Sequence, residues 1–179
     1  MKVLIDACVL YPTVLREIVL GVAADGGFAP LWSARILEEW RRAAARQGQG
    51  EIAEFEIAAA SRRFPDARVS VAPLTEARLS LPDPNDVHVL AAAVDGRADE
   101  LLTLNLKDFP TNALAAEGII RRDPDGFLTE IFHAKPELVQ RVVTAVMNRA
   151  ADHGIDVSAP RSLMKRARLP RLGKALYPS

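Results

Sequence analysis

Four carboxylates stand in four separate segments of this 179-residue chain, and their types and spacing are the first thing to explain. Asp6 ends the apolar run Lys2 to Asp6. Glu39 lies in SARILEEW, Asp86 in DPNDVHVLAAAV, and Asp108 follows LLTLNL, with Asn105 just ahead of it. If the fold gathers these groups with no opposing Lys or Arg, they repel one another and raise one another's pKa values. A divalent cation removes that conflict. All-oxygen ligation favours Mg²⁺ or Mn²⁺, with waters and substrate phosphate completing the shell. Zinc does not suit the sequence, because the three His residues lack paired ligand spacing and Cys8 is the single cysteine. There is no P-loop and no GxGxxG, and nothing spaces a serine triad.

The elements that must position these groups read as α/β. The central stretch runs from Leu81 to Phe109. Asp83 can cap a helix there, Pro84 suits its first position, and Asp86 falls at the third, where a carboxylate meets unpaired amides. The body from Val87 to Val94 is small and apolar, and Asp95-Gly96 reads as its stop. Leu101 to Leu104 has the length and apolarity of a strand buried in a parallel sheet, and a polar turn from Asn105 to Asp108 follows. Thr103 is a weaker candidate for phosphate contact.

Earlier in the chain, Lys2 to Asp6 reads as a buried strand feeding a helix that begins near Pro12 and closes at Gly26-Gly27. Cys8, directly after that strand, reads as a small core residue. Phe28 to Trp32 is a second strand, and Ser33 caps the next helix. At roughly 100° per residue, Ile36, Trp40, Ala43 and Ala44 form one stripe. Glu39 lies beside it and Glu38 nearly opposite, so Glu39 is the candidate facing the sheet and Glu38 belongs in water. The same test puts Asp86 on the inward side of its helix and His88 on the surface. Residues 51 to 64 form a further helix whose apolar positions Ile52, Phe55 and Ala59 suit packing, and Val69 to Val71 reads as a strand. An edge strand near Ile119 is followed only by helices. The expectation is a three-layer α/β/α sandwich with a mainly parallel sheet, over residues 1–132, plus a helical extension over 133–179.

The zero net charge conceals an asymmetry. Residues 1–132 hold 14 Lys and Arg against 20 Asp and Glu, a net of −6, whereas residues 133–179 hold 9 against 3, a net of +6. From Arg161 onward there are six basic residues and no acid. An acidic pocket in an acidic body needs basic groups elsewhere to attract a polyanion. The tail suits that task, and it equally suits solvation of a terminal helix or contact with an acidic protein surface. No run is long and apolar enough for a membrane span, and no signal-peptide pattern opens the sequence. With one cysteine, a reducing, cytoplasmic location is expected.

Taken together, LIDACVL, SARILEEW, DPNDVHVLAAAV and LLTLNLKDF resemble the PIN-domain family of metal-dependent ribonucleases, which includes VapC-type toxins. The resemblance covers roughly residues 1–122. It implies that Asp6, Glu39 and Asp86 occupy three acidic positions of the site, with Asn105 or Asp108 at the fourth. It further implies cleavage of single-stranded RNA, dimerisation into a homodimer, and, for toxins, neutralisation by a cognate antitoxin. On this reading Asp6, Asp86 and Asp108 hold one or two ions, Glu39 completes the shell or positions the attacking water, and Asn105 steadies the Asp108 turn. Two alternatives belong to other classes. A catalytically silent binding module would keep the fold without turnover. A phospho-acceptor signalling domain would need adjacent acids after the first strand, where this chain has Ala7 and Cys8.

Overall fold

The computed structural model describes residues 1–178. The chain divides into two compact units. One comprises Met1–Tyr11 and Phe28–Arg122, and the other comprises Pro12–Gly27 and the chain from Asp123 onward.

The first unit is built on five parallel strands. β1 (Lys2–Ile5) is followed by a short helix α1 (Ala7–Leu10), an element too brief to leave a periodic signal in the sequence. α2 (Thr13–Ala24) belongs to the second unit. β2 (Ala29–Ser33), α3 (Ala34–Ala45), α4 (Gly50–Arg63), β3 (Arg68–Val69) and α5 (Pro73–Arg78) come next. A 3-10 turn, Pro84–Asp86, then leads into α6 (Val87–Asp95), and β4 (Glu100–Leu102), α7 (Thr111–Ala116) and β5 (Ile120–Arg122) complete the unit. The sheet order is β3-β2-β1-β4-β5, with every neighbouring pair parallel. Val3, Leu4, Ile5, Leu101 and Leu102 have no exposed surface, as strands covered on both faces require.

Strand order decides where the helices go. From β2 to β3 the chain moves outward in one direction, and from β3 to β4 it returns across β2 and β1 to the other side. Right-handed crossovers therefore put α3 with α4, and α5 with α6, on opposite faces of the sheet. This is the expected α/β/α layering. It also makes the gap between β1 and β4 the switch point, where open parallel sheets place ligands outside the carboxyl ends of their strands.

Local chemistry agrees with this frame. Ser33 caps α3, its Oγ accepting from Ile36 N at 3.2 Å. Asp83 caps the 3-10 turn in the same way, accepting from Asn85 N at 2.9 Å. Gly96 ends α6 against the sheet, where a Cβ would lie 2.9 Å from Ala92 O, 2.9 Å from Val69 Cγ2 and 3.0 Å from Leu31 Cδ1. The first is a backbone carbonyl that cannot turn aside, and the other two are buried methyl groups of β3 and β2. Gly96→Ala is therefore expected to cost about 1–3 kcal/mol, read as a lower urea midpoint at unchanged slope.

One expected packing surface is not used as read. Ile52 and Phe55 of α4 are 59% and 72% exposed, and the helix instead buries Ala53 and Ala60. Those alanines lie two turns apart on one stripe. Two small residues allow α4 to lie close against α3, which a phenylalanine there would prevent.

The second unit is helical. α8 (Pro124–Ala134), α9 (Pro136–Asp152), α10 (Pro160–Arg166) and α11 (Pro170–Leu176) join α2 within it. α2 and α9 pack so closely at Gly21 that a Cβ there would fall 2.6 Å from Val142 Cγ1. Arg141 pairs with Asp25 at 3.0 Å and Arg149 with Glu17 at 3.4 Å. The buried Asp125 carboxylate accepts from Arg171 N and Leu172 N, each at 3.0 Å, and so caps α11 from another helix. Leu163, Met164, Leu169 and Leu172 are buried, while all six basic residues of this segment are exposed.

Candidate active site

Asp6 follows β1 directly at the switch point. Its backbone N–H donates to Leu102 O at 3.0 Å, which extends the β1–β4 ladder to the first residue beyond the strand. Its carboxylate is buried and accepts from Thr103 Oγ1 at 2.7 Å and from Cys8 Sγ at 3.2 Å. Burial raises its pKa above the ordinary carboxylate value, and these two hydrogen bonds oppose the rise. Thr103 has no exposed surface and its hydroxyl is committed to Asp6, so the expectation that it touches phosphate is not met. It holds Asp6 in place instead. Cys8 sits in the same network, with Leu104 N donating to its sulfur at 3.3 Å. Burial first, and then the Asp6 charge, push its thiol up to about 12, far from a thiolate nucleophile.

Asp86 ends the 3-10 turn at the entrance to α6. Its Oδ2 accepts from Asn105 Nδ2 at 3.2 Å. Carboxylate oxygens of Asp83, Asp86 and Asp108 all lie within 4.8 Å of one another. Desolvation, and then the charges of Asp6, Asp83, Asp108 and Glu39, raise the Asp86 pKa to about 6. The other three acids singled out in the sequence, Asp6, Glu39 and Asp108, thus act on Asp86 together with Asp83, and Asn105 bonds to the same group. The tightest trio among the described residues includes Asp83 and leaves out Asp6 and Glu39.

The two glutamates of α3 separate by partner rather than by exposure, since each side chain is 37% exposed. Glu38 accepts from Arg41 Nε and Nη2 at 2.8 and 2.7 Å and from Arg42 Nε at 2.8 Å, bonds that pull it down to about 2. It is held by its own helix. Glu39 turns the other way, with Oε1 2.7 Å from His88 Nε2 and 4.0 Å from Arg35 Nε.

His88 corrects the sequence reading. It is 2% exposed rather than on the surface. Its Nε2 lies 2.7 Å from Glu39 Oε1, an ion-pair distance, yet neither ring nitrogen makes a hydrogen bond. Every residue from Val87 to Ala93 is buried, so this helix has no solvent face on which a histidine could sit. The sequence marks Asp83 as a cap, either beside the site or purely structural, and the structure puts it in the carboxylate trio. A second signal was available in the DPND spacing, which puts Asp83 and Asp86 one turn apart.

Chemically, such a site suits a divalent cation. Its donors are hard carboxylate oxygens, half-buried and gathered closely enough to raise the pKa of their central member. Asp83, Asp86 and Asp108 are placed to share one ion, and Asp6 and Glu39 border it as electrostatic neighbours.

A family model described as "PIN domain" matches residues 2–107. Among curated proteins, one named "Putative ribonuclease VapC50", from Mycobacterium tuberculosis (strain ATCC 25618 / H37Rv), is 39% identical over 67 residues. That match covers 37% of this chain and 40% of the relative, so the chain spans about two fifths of that relative's length. No solved structure matches the chain significantly.

Proposed function

The chain belongs to the PIN-domain family, and from that premise we propose that it is an endoribonuclease dependent on Mg²⁺ or Mn²⁺, acting on single-stranded RNA as the toxin of a toxin–antitoxin pair. The observation that carries this reading is the Asp86 carboxylate, raised to about 6 by burial and by four other acids around it. A cluster of that kind weakens an empty fold and gains from a cation. The curated relative is named as a ribonuclease, which supports the substrate class.

In this account Asp83, Asp86 and Asp108 hold the ion, with Asp6 beside them. Bound there, a divalent cation would supply positive charge against the developing charge on phosphoryl oxygens and lower the pKa of water. Thr103 and Cys8 fix Asp6 by donating to its Oδ2, and Asn105 fixes Asp86 by donating to its Oδ2. Glu39 orients the attacking water. That water adds to phosphorus, one P–O ester bond breaks, and a proton passes to the departing oxygen. The catalytic part is assigned to residues 1–132 and the basic extension to residues 133–179.

Calorimetric titration with Mn²⁺ tests the cation dependence apart from turnover. Saturable binding to the parent and its loss in Asp86→Asn support the reading, and equal binding by both contradicts it. The extension is assigned contact with RNA phosphates. Cutting it away would remove the buried Leu163, Met164, Leu169 and Leu172 and strip the helical unit of part of its core, so charge removal is the cleaner probe. Arg161→Gln, Arg168→Gln and Lys174→Gln together are expected to flatten log K against log salt by about 0.7 per lost contact. An unchanged slope with a lost homodimer or lost antitoxin would place the tail at a protein interface.

A further inference from the structure

Beside the carboxylates, at the carboxyl ends of β2 and β3, lies a recess of about 240 Å³ lined by Ser33, Arg35, Arg68, Ser70, Glu76 and His88, among others. We propose that it holds a phosphodiester group of the bound RNA, offset along the strand from the bond that is cut. This rests on the reading of RNA as substrate.

His88 is the first observation. It is 2% exposed, it lines the recess, and neither of its ring nitrogens makes a hydrogen bond. Buried polar atoms of native proteins are nearly always satisfied, so an imidazole left in this state at the wall of a cavity points to a missing partner. In either tautomer one ring nitrogen carries a proton, and that N–H calls for an oxygen acceptor.

The start of α3 is the second. This helix is twelve residues long, and Ser33 Oγ already takes the Ile36 N–H. The amides of Ala34 and Arg35 precede the helical ladder, beside a positive helix end, and both residues line the recess. Such an end is an anion site in its own right once a second group faces it.

Two guanidinium groups are the third. Arg68 is exposed at the mouth, and Arg35 reaches both Glu76 at 3.3 Å and Glu39 at 4.0 Å. Arg35 is shared between Glu76 and Glu39, so Arg68, which has no ion-pair partner among the described residues, is the cation left for a ligand. The volume falls below that of ordinary ligand pockets, which suits a phosphate and its ester carbons better than a whole nucleotide. His88 and Arg35 each touch Glu39, so the recess is joined to the carboxylates through that residue. One phosphate seated here and another at the acids would fix the direction and register of the strand.

The test uses the full chain and two probes. The diribonucleotide UpU, without metal, is titrated while the amide resonances of Ala34 and Arg35 are followed by NMR. Saturable shifts, weakened several-fold to about tenfold in Arg68→Gln, support the site. Steady-state cleavage of a longer RNA in Mn²⁺ is the second arm. There Arg68→Gln should raise KM by a similar factor, leave kcat near the parent value, and flatten the salt dependence by about 0.7. His88→Gln keeps a polar end in the wall and should weaken UpU in the same way. Should that variant not fold, the exposed Arg68 still decides. If the parent cuts no RNA but UpU still moves Ala34 and Arg35, the recess stands and the nuclease reading falls. If RNA is cut while Arg68→Gln keeps the parent KM and salt slope, and UpU moves neither amide, the recess proposal is overturned.

Discussion

Asp86→Asn is expected to abolish Mn²⁺-dependent RNA cleavage while raising the melting temperature of the metal-free protein near neutral pH. Both effects come from the same charge. Burial and the charges of Asp6, Asp83, Asp108 and Glu39 lift the Asp86 pKa to about 6, against an unfolded value near 3.9. Between those values the folded chain binds more protons than the unfolded chain. Stability without metal therefore falls as pH rises through that window, and the full penalty stands above about pH 6. Asparagine carries no charge, and its side-chain oxygen can still accept from Asn105 Nδ2, so the fold is kept and the penalty removed. Thermal melts at two pH values check the sign. The variant should exceed the parent near neutrality, and the gap should close below about pH 4. A gain of equal size at both would assign it to something other than ionisation.

Glu39→Gln is expected to lower kcat by roughly 10²-fold or more, whereas Glu38→Gln should stay within about twofold of the parent. The two residues are adjacent, equally exposed and of one type, so composition and solvent access cancel in the comparison. Their surroundings differ. Glu38 is neutralised by Arg41 and Arg42 on its own helix, and Glu39 faces His88 and contributes to the charge around Asp86. Single-turnover rates of the two variants at saturating RNA make the measurement, since weaker RNA binding then drops out. Equal losses in both would remove Glu39 from the site and leave only a requirement for charge on α3.

Much of the frame was legible in the sequence because its signals are local. Asp83-Pro84 and Ser33 mark helix starts through side-chain geometry that needs no tertiary partner, and both act as read. Lys2–Ile5 and the Leu101-Leu102 pair stand out as short apolar runs of the kind that parallel sheets bury, although the strand begins at Glu100 and ends at Leu102 rather than running from Leu101 to Leu104. Asp6, Glu39, Asp86 and Asp108 were found because each ends or borders such an element. The misreadings have one physical origin, which is that a helical wheel assumes one wet face. α6 has none, and the 3-10 turn ahead of it shifts the angular phase, so His88 was sent to the surface. α4 inverts the error by exposing Phe55 and burying alanines, a choice made by its close approach to a neighbouring helix. Thr103 illustrates a third limit. Its position beside the acids was legible, but whether its hydroxyl faces a substrate or Asp6 depends on a contact across 97 positions of chain.

The central claim is that these carboxylates form a metal-dependent nuclease site, and the most direct measurement is cleavage of an end-labelled single-stranded RNA by the purified chain. The account predicts products with Mn²⁺, none with EDTA, recovery when Mn²⁺ is restored in excess, and none at any point with Asp86→Asn. Cleavage that persists in EDTA, or that proceeds at the parent rate in Asp86→Asn, would contradict it.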